Sequence, residues 1–324
     1  MGPRLFITSE SGRLLAFDTE TAQLDTLYRD LEHESIFGIA CQEDQIFLST
    51  ATSLTSARLT THGFELQRRE VPFQPLLRGE ARRFVRWMWS RIGLHARAIP
   101  YERPGLHQMN VYGDRLYVAA TSWNEIWIVD LSLQILERIP LQPHRLDFYH
   151  LNNVFCDGLS YYVCLNRYDG RSGTGGFVRF DLEWKETLRQ SLGCETHALS
   201  LIDGNIVTLS CVSWRSDSAP QALRQAGLMV DGVLVFEYDH RQYFCKDFSM
   251  NADRIYIVGG TATDRSKRAS ADGVLFVLDR SYRLLTKHVF SEFGGFNGCR
   301  LQGIDYSKGI APAQQGIAAF SCPA

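Results

Sequence analysis

The chain has 324 residues and a mass of 36.8 kDa; with 45% apolar and 22% charged residues it can build a substantial core, which excludes disorder as its main state. A net charge of −2 gives no general attraction to nucleic acid, which is not an expected partner. No stretch reaches the about 18 uninterrupted apolar residues of a spanning helix, so no transmembrane segment is expected. The start MGPRLFITSESG lacks an apolar signal core, and the eight cysteines are scattered without a CxxC motif. Together these point to reduced thiols in a cytoplasmic protein.

In chain order, the N-terminus supplies three short strands, RLFITSE, GRLLAFDT and QLDTLYR. FGIACQEDQIFLST, from Phe37, opens a second group. An insertion then breaks the rhythm at 73–104, where Leu77, Phe84, Trp87, Met88 and Ile92 recur at helical spacing among arginines. It reads as an amphipathic helix over 76–93, packed on the rim, covering a site as a lid, or binding a membrane surface or a partner. From His107 to Leu141 four strands separated by turns follow: HQMNVY, LYVAAT, IWIVDL and ILERIPL. Similar units start at His150, His197 and Lys246. Counting back nine residues from Leu116, Leu159, Ile206 and Ile255 gives starts that step by 43, 47 and 49 residues.

Such a period belongs to β-propellers. The chain resembles the six-bladed propeller superfamily along nearly its whole length, which implies one all-β domain over 1–324. A two-sheet sandwich does not account for units so evenly spaced. The N-terminal strands lack a first member, and LQGIDY (301–306) can supply it, closing the circle with both chain ends and removing exposed edges.

The propeller resemblance places the start of each inner strand at the channel mouth, beside the loops between second and third strands. His107, His150 and His197 would then line one arc of that mouth. Three imidazoles can supply nitrogen ligands to one divalent transition metal, Fe, Zn, Mn or Cu, leaving positions open for water or a small-molecule substrate. Asn110, Asn153, Ser200, Asp247 and Glu195 are candidate orienting partners for their second nitrogens. Arg167, Asn152 and Asp247 would orient substrate or support the ligands. Without a metal, the same histidines could act as base or nucleophile, or simply solvate the channel.

The stretch YHLNNVFCDGLSYYVCLNR (149–167) resembles the His-x-Asn segment of bacterial arylsulfotransferases, themselves six-bladed propellers. The resemblance implies a nucleophilic His150, with Asn152 and Arg167 around the transferred group. It covers about one blade. The functional expectation is therefore a metal-dependent enzyme, with histidine group transfer as one alternative and a non-catalytic protein-binding scaffold as another. HExxH, Walker, GxSxG and GxGxxG signatures are absent, so nucleotide cofactors are not implied.

Overall fold

The computed structural model describes residues 4–29, 34–60, 63–70, 104–142, 146–213, 224–261 and 264–304. The expected helical insertion at 73–104 therefore lies almost wholly outside the described residues. The strands form six four-stranded antiparallel sheets, the blades of a β-propeller. Blade 1 joins β1 (Arg4–Ser9), β2 (Arg13–Asp18) and β3 (Leu24–Arg29) to the last strand, β24 (Phe296–Leu301). Blade 2 runs through β4 (Gly38–Gln42), β5 (Gln45–Ser49), β6 (Ser53–Thr60) and β7 (Gly63–Glu70). Blade 3 comprises β8 (Leu106–Tyr112), β9 (Arg115–Ala120), β10 (Glu125–Asp130) and β11 (Ile135–Pro140). Blade 4 is built from β12 (Leu151–Cys156), β13 (Tyr161–Leu165), β14 (Gly176–Phe180) and β15 (Glu186–Ser191). Blade 5 contains β16 (Glu195–Ile202), β17 (Asn205–Cys211), β18 (Gly227–Val230) and β19 (Val233–Glu237). Blade 6 has β20 (Phe244–Met250), β21 (Arg254–Gly260), β22 (Gly273–Asp279) and β23 (Leu284–Phe290).

The strand that closes the propeller is FNGCRL, not the expected LQGIDY. It pairs with β1 from Leu5↔Leu301 to Ser9↔Phe296, so the two proposals share only Leu301. Leu301 is the last apolar anchor of that ladder, and placing the strand after it puts the register five residues too late.

The apolar cores lie between blades. One, for example, joins Leu209 and Cys211 of blade 5 to Phe244, Ile257 and Phe276 of blade 6. Middle strands such as β13 and β21 are apolar on both faces because each sheet is covered on both sides, whereas outer strands such as β23 are largely exposed.

Five of the six inner strands carry a β-bulge at the same place. In β12 the extra residue is Asn152, between Leu151↔Leu165 and Asn153↔Cys164. His197 occupies this place in β16, Lys246 in β20 and Asn297 in β24. In β8 the shift falls between Leu106 and Met109, and the same register puts His107 there. Four inner strands, β8, β12, β16 and β20, share one hairpin spacing, each pairing across five positions: Val111↔Leu116, Cys156↔Tyr161, Leu201↔Ile206 and Met250↔Ile255. The blade 4 counterpart of Leu116 is therefore Tyr161 rather than Leu159. The equivalent of His107 and His197 is Asn152, and His150 sits two residues earlier, outside the strand. The cause is the reference residue: Leu159 is an exposed member of the Asp157–Ser160 turn, and the strand that corresponds to the one at Leu116 begins two residues later at Tyr161.

Asp247, on β20, and Arg300, on β24, form a buried ion pair at 2.7 Å across the seam between blades 6 and 1. The Cys299 amide donates to the same carboxylate oxygen. Removing one partner strands a buried charge, so Asp247→Ala or Arg300→Ala should lower the unfolding free energy by about 3–5 kcal/mol in urea titrations. The Asp247→Leu/Arg300→Met pair should cost less than either. Single-variant losses below about 1 kcal/mol would mean the pair does not clasp the seam.

Candidate functional site

Bulges turn side chains away from the regular pleat. Here they turn His107, Asn152, His197, Lys246 and Asn297 into one funnel at the channel mouth. The sixth place is taken by Phe37, just before β4, whose amide donates to the Ser49 carbonyl. All six residues line the same cavity, about 870 Å3 of space counted out to the open solvent. Phe37 stacks on His107, with ring centroids 5.1 Å apart and planes 4° from parallel. The close approach of β4 and β8 requires glycine at position 38, where a Cβ would lie 2.3 Å from the His107 carbonyl oxygen.

Loops between second and third strands complete the walls. Glu10 comes from blade 1, Asn166, Arg167 and Ser172 from blade 4, Ser213 from blade 5 and Arg268 from blade 6. Lys246 binds the Glu10 carboxylate and the Asn297 side-chain oxygen. Burial pushes the Glu10 carboxyl up, but Lys246, Arg268 and the Ser35 hydroxyl outweigh it and hold the group below its ordinary range. Arg268 lies over the Phe244 ring at 4.4 Å, a cation–π contact.

On the opposite side, His150 precedes β12 in the connector from blade 3. Its Nδ1 lies 2.7 Å from Asp147 Oδ1, and Arg167 Nη1 donates to Asp147 Oδ2 at 3.1 Å and to the Asp147 carbonyl at 2.9 Å. Burial raises the Asp147 carboxyl, but His150 and Arg167 prevail, leaving it below its ordinary range and ionised at neutral pH. An ionised carboxylate at that distance accepts a hydrogen bond from Nδ1, so in the neutral imidazole the lone pair lies on Nε2. Among the described residues Nε2 has no hydrogen-bond partner. Asp147 and His150 both have left-handed backbone, with φ of 49°. Such non-glycine positions concentrate at functional sites.

His197, on blade 5, is engaged differently. Its Nε2 is 3.0 Å from Asn166 Nδ2 and 3.9 Å from Glu195 Oε2. Glu195 is itself bonded by the Ser213 hydroxyl at 2.6 Å. Burial lowers the imidazole to about 4, so His197 is neutral at pH 7.

The structure thus brings His107, His150, His197, Asn152 and Arg167 to one cavity. The His107 and His150 rings approach to 5.5 Å between centroids at 77°. Among the described residues no group of three or more His, Cys, Asp or Glu side chains stands close enough to hold one metal ion. Asp247 is not at the mouth but lines a separate cavity below, with Asn110, Asn153 and Ser200. Of the five proposed orienting residues only Glu195 is beside a histidine. Asp147 and Asn166 take that role for His150 and His197. Asp147 had one local signal, its place three residues before a histidine, and Arg268 lies in a loop between second and third strands, expected beside the mouth; Glu10 and Gln108 had none, because the topology alone brings them there.

A histidine buried in the neutral form penalises the folded state in acid. The unfolded chain, with an imidazole near 6.5, binds more protons than the folded one between pH 6.5 and about 4, so stability falls as pH drops through that window. His197→Gln should remove about 2 kcal/mol of the difference in urea stability between pH 7 and pH 5. An unchanged pH dependence would contradict a neutral buried His197.

No protein-family model matches the sequence. No curated protein sequence matches it either. Many solved structures share the fold. A protein of unknown function from Bacteroides caccae superposes with a TM-score of 0.58 at 12% identity, covering 94% of this chain and 100% of the other. A chain of a nidogen/laminin complex gives 0.55 at 10% identity, with 93% and 98% covered. Hydrazine synthase of Kuenenia stuttgartiensis gives 0.53 at 11%, with 94% and 87% covered. At these identities the likeness establishes the propeller fold alone.

Proposed function

We propose that the chain is an enzyme acting on a small organic substrate at the channel mouth, with His150 as base or nucleophile. The observation that supports this reading is the Asp147–His150 pair. Its carboxylate is fixed by Arg167, and its Nε2 belongs to a side chain lining the cavity. Asp147 holds the tautomer and would stabilise positive charge developing on the imidazole, the part an orienting carboxylate plays in histidine catalysis. The Arg167 guanidinium suits an oxyanion beside the imidazole.

The resemblance of segment 149–167 to arylsulfotransferases favours group transfer. His150, Asn152 and Arg167, the positions carried by that resemblance, all line the mouth. In such a step the Nε2 lone pair attacks the sulfur of an aryl sulfate. The S–O bond breaks, and its electron pair leaves with the phenolate. An acceptor alcohol then attacks the sulfur, the N–S bond breaks and returns its pair to Nε2, and the alcohol proton passes to the released phenolate through solvent.

A metal-dependent reading has one observation in its favour, the approach of His107 to His150. The third ligand does not fit as placed, since His197 Nε2 faces the Asn166 amide. No step is therefore routed through a metal. Metal analysis of untagged protein before and after reconstitution with Fe, Zn, Mn or Cu tests that reading directly.

Protein supplied with 4-nitrophenyl sulfate and a phenol acceptor should release 4-nitrophenolate and leave an acid-labile adduct on His150, seen by mass spectrometry. His150→Ala should lower kcat by about 10^3-fold or more, and Asp147→Asn by about 10^2–10^4-fold. Turnover unaffected by either change would remove His150 from the reaction.

A further inference from the structure

The second cavity lies on the propeller axis and belongs to no part of the proposed reaction. Four inner strands present Asn110, Ser200, Ser249 and Arg300 to it from matching register positions, opposite Tyr117, Val207, Tyr256 and Phe6. Asn153 and Asp247 join them from nearer the mouth. The space open to the centre of a water-sized sphere is about 20 Å3, and about 10–15 Å3 of such space suffices for one water.

The polar wall is incompletely satisfied. Asn110 and Asn153 are only 5% and 2% exposed, and the Oδ1 atom of each is buried without a hydrogen bond among the described residues. Polar cavities of sufficient size fill, because a buried acceptor without a donor is costly. Whatever fills this one must donate hydrogen bonds. A metal cation would face the Arg300 guanidinium, and it would find the Asp247 carboxylate already bonded by Arg300 and the Cys299 amide. The neutral donor is water.

We propose that this chamber is a structural water site, in which at least one ordered water donates to Asn110 Oδ1 of blade 3 and Asn153 Oδ1 of blade 4 and ties the two inner strands together on the axis. The site is independent of the chemistry at the mouth.

A high-resolution crystal structure of the intact protein should show a water within about 2.7–3.2 Å of both oxygens. Oxygen-17 relaxation dispersion on the same protein should detect a long-lived internal water. Asn153→Leu, which removes the acceptor and fills its space with an apolar group, should lower Tm by about 2–4 °C. An empty chamber, a cation with oxygen ligands at about 2.0–2.6 Å, or amides rotated onto protein partners would each overturn the proposal. So would an unchanged or raised Tm in Asn153→Leu. The crystallographic and relaxation measurements use the unaltered protein, so they decide the matter even if that variant fails to fold.

Discussion

One extra residue in an inner strand is the constraint on which the mouth depends. A regular ladder sends alternate side chains into the two inter-blade cores, where a lysine or histidine would be costly. The bulge breaks that alternation for a single residue. Because five strands break at the same register, the displaced side chains meet around one axis. Below the break the alternation resumes and the cores stay apolar, with Ala198, Phe248 and Cys299 buried. The polar funnel is therefore carried by rigid strands, which hold functional groups more closely than loops do.

Charge in the funnel is paired across element boundaries. Lys246 and Glu10 join blades 6 and 1, the same seam that Asp247 and Arg300 join lower down. The two ends of the described chain meet within blade 1, where β24 pairs with β1, and two ion pairs with partly or fully desolvated members tie that blade to blade 6. Burying them is costly, so their value lies less in net stability than in fixing which strand closes the propeller and in which register.

The repeat was legible in the sequence because turns and strand alternation recur with a nearly constant period, and that was enough for blade number and for the mouth as the place to look. Register was not legible. Leu159 is an exposed turn residue two positions before β13 begins at Tyr161, so a count made from it puts His150 in the place that Asn152 holds. The bulges have no sequence signature, so the order Phe37, His107, Asn152, His197, Lys246, Asn297 emerges only from pairing. Asp247 looked like a mouth residue because it follows Lys246. One step past the bulge, its carboxylate belongs to the seam.

The misplacement of His150 has a physical consequence of its own. On the strand, its backbone would have been fixed by ladder geometry, as that of His197 is. In the connector, its backbone is left-handed at φ 49°, as is that of Asp147 three residues before, and each such position costs about 1–3 kcal/mol unless its surroundings impose it. The surroundings here are the end of β13: the Asn166 amide donates to the His150 carbonyl and the Arg167 amide to the Tyr149 carbonyl. Arg167 then turns its side chain back onto Asp147. A single strand end thus holds the backbone of the imidazole and the carboxylate that orients it, so the geometry of the proposed pair is set by the chain itself. Backbone strain at this loop, held by the adjoining strand, is how the proposed pair is preorganised.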